Sequence, residues 1–164
     1  MLSKIKKTIL FIQEEILIIS SILMFSLLAI GAIMRVVFKT DFYGLEEIVM
    51  LFAFWQYFIG TSYAGYEDSH IQADMIMPYL KSQKAKNRMR LVKHILSLGL
   101  CILTTVWSAQ FIAWYFVTKP VTAIFRIPIV ITHFPILVGF TLWTFYIIGH
   151  LIVTISEIKK EGEN

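Results

Sequence analysis

Four stretches of this chain carry no Asp, Glu, Lys or Arg for 18 residues or more: 16–34, 48–66, 94–118 and 127–156. No other feature restricts the fold so strongly. About 18 to 20 apolar residues in a helix cross the hydrocarbon core of a bilayer. Inside that core every backbone polar group must be bonded within the protein, which leaves helices as the economical solution. Composition agrees: 57% of the residues are hydrophobic and 16% are charged, against about a quarter charged in soluble domains. The expected fold class is an all-α membrane protein with four transmembrane helices, at about 16–34, 48–66, 95–117 and 130–155. With 164 residues, no soluble domain fits beside them, so residues 1–164 form a single membrane domain.

Charge sets the orientation. Lys and Arg number three before the first span, six between the second and third, and two after the fourth; the other two loops hold two each. Eleven against four places both termini and the central basic segment in the cytoplasm. The net charge of +4 is thereby explained by topology, and nucleic acid is excluded as a partner. The basic start, Lys4, Lys6 and Lys7, is followed by Glu14 and Glu15. A run longer than a signal core comes next, so the first helix is expected to be retained.

Between the second and third spans the pattern turns amphipathic. Ile71, Met75, Ile76, Tyr79 and Leu80 recur at helical spacing, and six cations follow. An amphipathic interfacial helix is expected at about 70–90, lying among lipid headgroups, with a break near Pro78. Pro128 and Pro135 predict an irregular start to the fourth span.

Little in the chain speaks for catalysis. No carboxylate or fixed cation lies within a span, where such groups mark ion or proton paths. There is no phosphate-binding loop, nucleophile motif or metal-ligand spacing, and the single Cys101 makes no disulfide pair. No enzyme, cofactor or metal is expected. His133 and His150 are read as packing residues. One alternative uses His70, His94 and His150, all on the cytoplasmic side: a haem-bearing anchor subunit of a membrane redox enzyme. Another is a stand-alone small transporter.

The second span holds the residues of most interest. Glu46 and Glu47 stand at its start, where negative charge complements the helix dipole. Adjacent positions point about 100° apart, so the dipole alone does not explain two acids, and at least one is expected to meet a donor on a partner. Glu46, Met50, Ala53, Tyr57, Gly60 and Ala64 share a face, on which Gly60 and Ala64 permit close helix approach. Trp55, Gln56 and Tyr57 place polar groups in mid-span, to satisfy contacts within the chain or to face a second protein. His70 and Asp74 mark the corner into the interfacial segment.

Together these residues spell E-E-x7-W-x4-G-x9-H-x3-D: Glu46, Glu47, Trp55, Gly60, His70 and Asp74. With four spans and the amphipathic segment after the second, the pattern resembles the small membrane (DctQ-like) subunit of tripartite ATP-independent periplasmic (TRAP) transporters. The resemblance implies a non-catalytic scaffold subunit of a sodium-coupled transporter in the bacterial inner membrane. Its partners would be a large multi-span transport subunit, a periplasmic substrate-binding protein and membrane lipids. The substrates implied are organic acids such as dicarboxylates or sialic acid. On this reading Glu46, Glu47, Trp55, Gly60 and Ala64 meet the large subunit, and His70 and Asp74 fix the interfacial corner. Arg35, Lys39, Asp41, Lys119 and Arg126, in the outer loops, are placed to meet the periplasmic protein.

Overall fold

A computed structural model describes residues 2–67 and 82–162. These form four α-helices: α1 (Leu2–Val37), α2 (Leu45–Tyr66), α3 (Gln83–Thr118) and α4 (Ile129–Gly162). All four are long and apolar enough to cross a membrane. At 1.5 Å per residue, the 36 residues of α1 and of α3 extend about 54 Å, well beyond a hydrocarbon core of about 30 Å. The helices therefore run on past the apolar windows that reveal them. Leu, Ile, Lys and Glu make up most of 2–15, and Lys, Arg, Gln, Met, Leu and Ala most of 83–94, with no Gly or Pro in either. Residues 83–90, expected in an interfacial helix, continue without a break into α3. The rest of that expected helix, with His70, Asp74 and Pro78, lies outside the described residues.

The helices do not close into a bundle. α1 packs on α2, α2 on α4, and α4 on α3, a row in the order 1-2-4-3. The edge helices accordingly each bury one narrow stripe. On α1 it is Gln13, Leu17, Ser20, Met24, Leu27, Gly31 and Met34; on α3 it is Asn87, Leu91, His94, Leu98, Cys101, Thr105, Ser108, Ile112 and Tyr115. Both alternate steps of four and three, the 3.5-residue repeat of left-handed supercoiled packing. Away from these stripes large apolar side chains are exposed, among them Phe25, Leu28 and Ile33 on α1 and Leu100, Trp107 and Trp114 on α3.

Small residues set the closest approaches. A Cβ on Gly139 of α4 would stand 2.5 Å from the backbone oxygen of Phe58 in α2, so only glycine admits that crossing. Polar side chains also join the helices, and Gln13 links α1 to both α2 and α4. Gln13, 2% exposed, donates from Nε2 to Ser62 Oγ on α2 and accepts at Oε1 from the Tyr146 hydroxyl of α4 at 2.8 Å. Thr105 and Thr144 meet at 3.3 Å between α3 and α4.

Candidate interaction surface at the loop end

The α1–α2 and α3–α4 loops come together at one end of the row, called here the loop end. The α3–α4 loop is a small hairpin. Val121 and Pro128 form an antiparallel bridge. Thr122 N donates to Ile127 O at 2.9 Å, Ile129 N to Pro120 O at 3.0 Å, and Ile127 N to Thr122 Oγ1 at 3.1 Å. Its tip is held by Glu47 of α2, whose Oε1 accepts from Ile124 N at 2.7 Å and Oε2 from Phe125 N at 2.9 Å. Two neighbouring N–H groups with no partner in their own hairpin match the two oxygens of one carboxylate. Gly44, at φ 85°, turns the chain into α2; a Cβ there would stand 2.5 Å from the Phe125 ring. A left-handed turn and a close ring both call for glycine at this point.

This separates the two acids. Glu47 is occupied inside the chain. Glu46 is exposed and lines an open cleft of about 850 Å³ between α1 and α2, with Leu28, Arg35, Tyr43, Met50 and Ala53 among its walls. Arg35 Nε and Asp41 Oδ1 pair at 3.1 Å on its rim, both well exposed. A surface pair of this kind contributes at most about 1 kcal/mol.

The α2 face grouped from the sequence also divides. Toward the termini, a Cβ on Gly60 would lie 3.5 Å from Leu17 of α1, so that half is covered by this chain's own first helix. Toward the loops the face is open, with Met50 exposed and Tyr57 69% exposed. Ala64 is half-buried. Trp55 turns inward: its indole N–H donates to the backbone oxygen of Ile131 at 3.2 Å. The reason lies in α4. Pro135, fully buried within the helix, has no N–H to return to the carbonyl four residues earlier, and that carbonyl is Ile131. The expected irregular start is thus confined to the hairpin before Ile129; at Pro135 the helix continues, and Trp55 satisfies the oxygen it frees.

At the opposite end α1 is pinned to α2. Lys6 Nζ lies 4.5 Å from the centre of the Tyr66 ring, and the Tyr63 hydroxyl donates to Glu14 Oε1 at 2.8 Å. His94 and His150 face each other with ring centres 5.9 Å apart and planes 14° apart; His150 Nε2 lies 3.0 Å from Tyr66 O. His133 packs among Phe54, Phe111 and Tyr115. Among the described residues no group of three or more His, Cys, Asp or Glu side chains is placed to hold a metal ion.

Sequence reasoning missed Gln13, Glu14 and the whole buried stripe of α3. The signal was available: Asn87, His94, Cys101, Ser108 and Tyr115 recur every seventh residue. The Glu47 link to residues 124 and 125 had no such signal, because it joins positions 77 and 78 apart.

Residues 24–157 match the family described as "Tripartite ATP-independent periplasmic transporters, DctQ component". Searches of curated proteins and of solved structures give no match. The matched segment takes in the loop end, all of α2 and α3, most of α4 and the last part of α1, and the four apolar helices fit a multi-pass membrane protein of a transporter family. The chain belongs to the DctQ family, the small membrane component of tripartite TRAP systems, which also contain a large membrane subunit and a periplasmic binding protein.

Proposed function

We propose that this chain is the fixed scaffold of a sodium-coupled TRAP transporter for organic acids, such as dicarboxylates or sialic acid, in a bacterial inner membrane. The observation that carries the scaffold reading is the open row of helices. Three seams join four helices, and polar groups within them, at Gln13, Ser62, Tyr146, Trp55, Thr105 and Thr144, are spent on holding neighbours together. A row so braced presents two broad apolar faces to its surroundings, and a partner's helices can cover one while lipid covers the other.

On this proposal both termini lie in the cytoplasm and the loop end faces the periplasm. The large subunit meets Glu46, Met50 and Tyr57 along the open half of α2. Glu47, Trp55, Gly60 and Ala64 shape that contact from behind. His70 and Asp74 keep the corner role implied by the family resemblance. The chain itself neither binds substrate nor carries sodium.

The test is reconstitution. This chain, its large subunit and its soluble binding protein, taken from neighbouring reading frames, are assembled in proteoliposomes with a panel of organic acids. Uptake is expected only with all three components and an inward sodium gradient. Uptake by this chain alone, or uptake indifferent to sodium, would overturn the proposal.

A further inference from the structure

Gln110 of α3 points out of the row into hydrocarbon. Ser108 and Ile112, two residues to either side, are buried on the seam with α4. At about 100° per residue, Gln110 points about 160° away from both, and it is exposed. The nearest charges along the chain are Lys119 and Lys93, about 13 Å and about 25 Å away along the helix axis. Both distances exceed the reach of the side chain. Among the described residues no hydrogen bond meets its carboxamide. The hydroxyls of Ser26, Thr61 and Thr104 bond back to carbonyls of their own helices. Gln110 does not, and it is the one exposed carboxamide or charged side chain within the four spans. Two N–H donors and a carbonyl without partners are costly in an apolar solvent.

Gln110 belongs to a second stripe on α3. Gly99, Leu103, Val106, Gln110, Ala113 and Val117 are all exposed and alternate steps of four and three. This is the same repeat by which the other side of α3 packs on α4. The stripe holds no aromatic residue, and no charge lies between 94 and 118. Nothing stands within 4 Å of where a Cβ on Gly99 would lie. Ala113 carries only a methyl group, so a second backbone can come close at both levels. The exposed side of α1 is different in kind. Within 16–34 it is built mainly of Ile, Leu and Phe, and its Ser26 hydroxyl is bonded to Ile22 O. That surface suits lipid, whereas the outer stripe of α3 has the make-up of a helix seam.

We propose that the outer stripe of α3, keyed by Gln110, is a two-fold contact between two copies of this chain. Copies of one chain enter the membrane in one orientation, so two α3 helices meeting along this stripe run parallel. In a parallel pair on a 3.5-residue repeat, like positions share a layer, which sets Gln110 opposite Gln110. A carboxamide both donates and accepts, so the two side chains bond each other. Every other layer of the stripe is apolar or small. A single polar residue in such a stripe fixes the register and the number of helices that associate. The occupant has to supply one donor and acceptor at this depth and nothing polar elsewhere, and α3 itself meets that description. A self-complementary patch of this kind is what a two-fold contact requires. In the row, α4 stands between α3 and α2, so this contact leaves the surface proposed for the large subunit free. It does not depend on the transport reading.

The test uses the full chain, alone and together with its large subunit. Each chain carries one fluorophore, and copies per particle are counted by photobleaching in proteoliposomes over a range of protein-to-lipid ratios. Wild type is expected to pass from one copy to two as the ratio rises. Gln110→Leu should associate about tenfold more weakly, with recovery and helical content unchanged because the side chain is exposed. Gln110→Asn keeps the carboxamide and should keep most of the association. A photoreactive side chain introduced at Leu103 or Val106, with Gln110 intact, is expected to join chain to chain on illumination of native membranes. One at Leu100 or Ala109, on either side of the stripe, is not. Wild-type chain that stays single at every ratio overturns the contact, as does a pair equally strong in Gln110→Leu. Capture of the large subunit from Leu103 and Val106, in place of a second copy, assigns the stripe to that partner and overturns it. Capture of lipid alone overturns it as well.

Discussion

Replacing Trp55 by Phe tests the bond between α2 and the proline of α4. The indole N–H lies 3.2 Å from Ile131 O, the carbonyl that Pro135 cannot bond. Phenylalanine keeps most of the ring packing and removes the donor, leaving a carbonyl without a partner in an apolar setting. Soluble proteins lose about 1–3 kcal/mol for an orphaned buried group. Interhelical bonds measured in membranes average about 0.6 and reach about 1.7 kcal/mol. A cost of about 1–2 kcal/mol is therefore expected, measured by loss of helical circular dichroism during denaturation in mixed micelles. Trp fluorescence is unsuitable because the variant removes a fluorophore. The decisive comparison is the double-mutant cycle with Pro135→Ala. Alanine restores the N–H that bonds Ile131 O, so Trp55→Phe should then cost about 1 kcal/mol less than in the wild-type background. Loss of ring packing is common to both backgrounds and cancels. Equal costs in the two backgrounds would refute the reasoning, since the tryptophan would then contribute through packing alone.

Three further outcomes follow from the same geometry. Gly139→Leu drives a side chain into the backbone of Phe58 and should separate α2 from α4, so that the protein is recovered as aggregate in size-exclusion chromatography; a monodisperse peak like wild type would show the crossing to be compliant. Gln13→Leu leaves Ser62 and Tyr146 without their shared partner and should cost about 1–2 kcal/mol in the same denaturation assay, whereas no change would show that the two hydroxyls find other partners. A single cysteine introduced at Asp41, in a Cys101→Ser background, is expected to react with a membrane-impermeant maleimide applied to intact cells, and one at Lys86 to react only after lysis; the reverse pattern would invert the orientation.

The four helices were legible because lipid imposes its demand on each span separately, and uncharged length reveals it without knowledge of any neighbour. Their true ends were not. Gln83–Arg90 reads as amphipathic and basic, yet helix propensity carries it into α3 as readily as headgroup binding would lay it flat. The outer acids show the same limit. Helix periodicity places Glu46 and Glu47 on different sides of α2 but cannot say which one a loop 77 residues later will meet. Trp55 was recognised as an unusual mid-span donor, and whether its acceptor lay in this chain depended on the pairing of α2 with Pro135 of α4.

Sequence alone determined the class of solvent around this protein, the four membrane-length helices, and the residues that resemble the DctQ pattern, since these follow from composition and spacing along the chain. Tertiary structure decided the order 1-2-4-3, the helix face each seam consumes, and the division of α2 into a half covered by α1 and a half left open. The physical reason is that lipid and a partner's helix are nearly equivalent solvents for an apolar face. Hydrophobicity therefore leaves the arrangement undecided. Small residues such as Gly139, and polar groups needing a particular partner, such as Gln13, Glu47 and Trp55, select one packing, and they do so only across space.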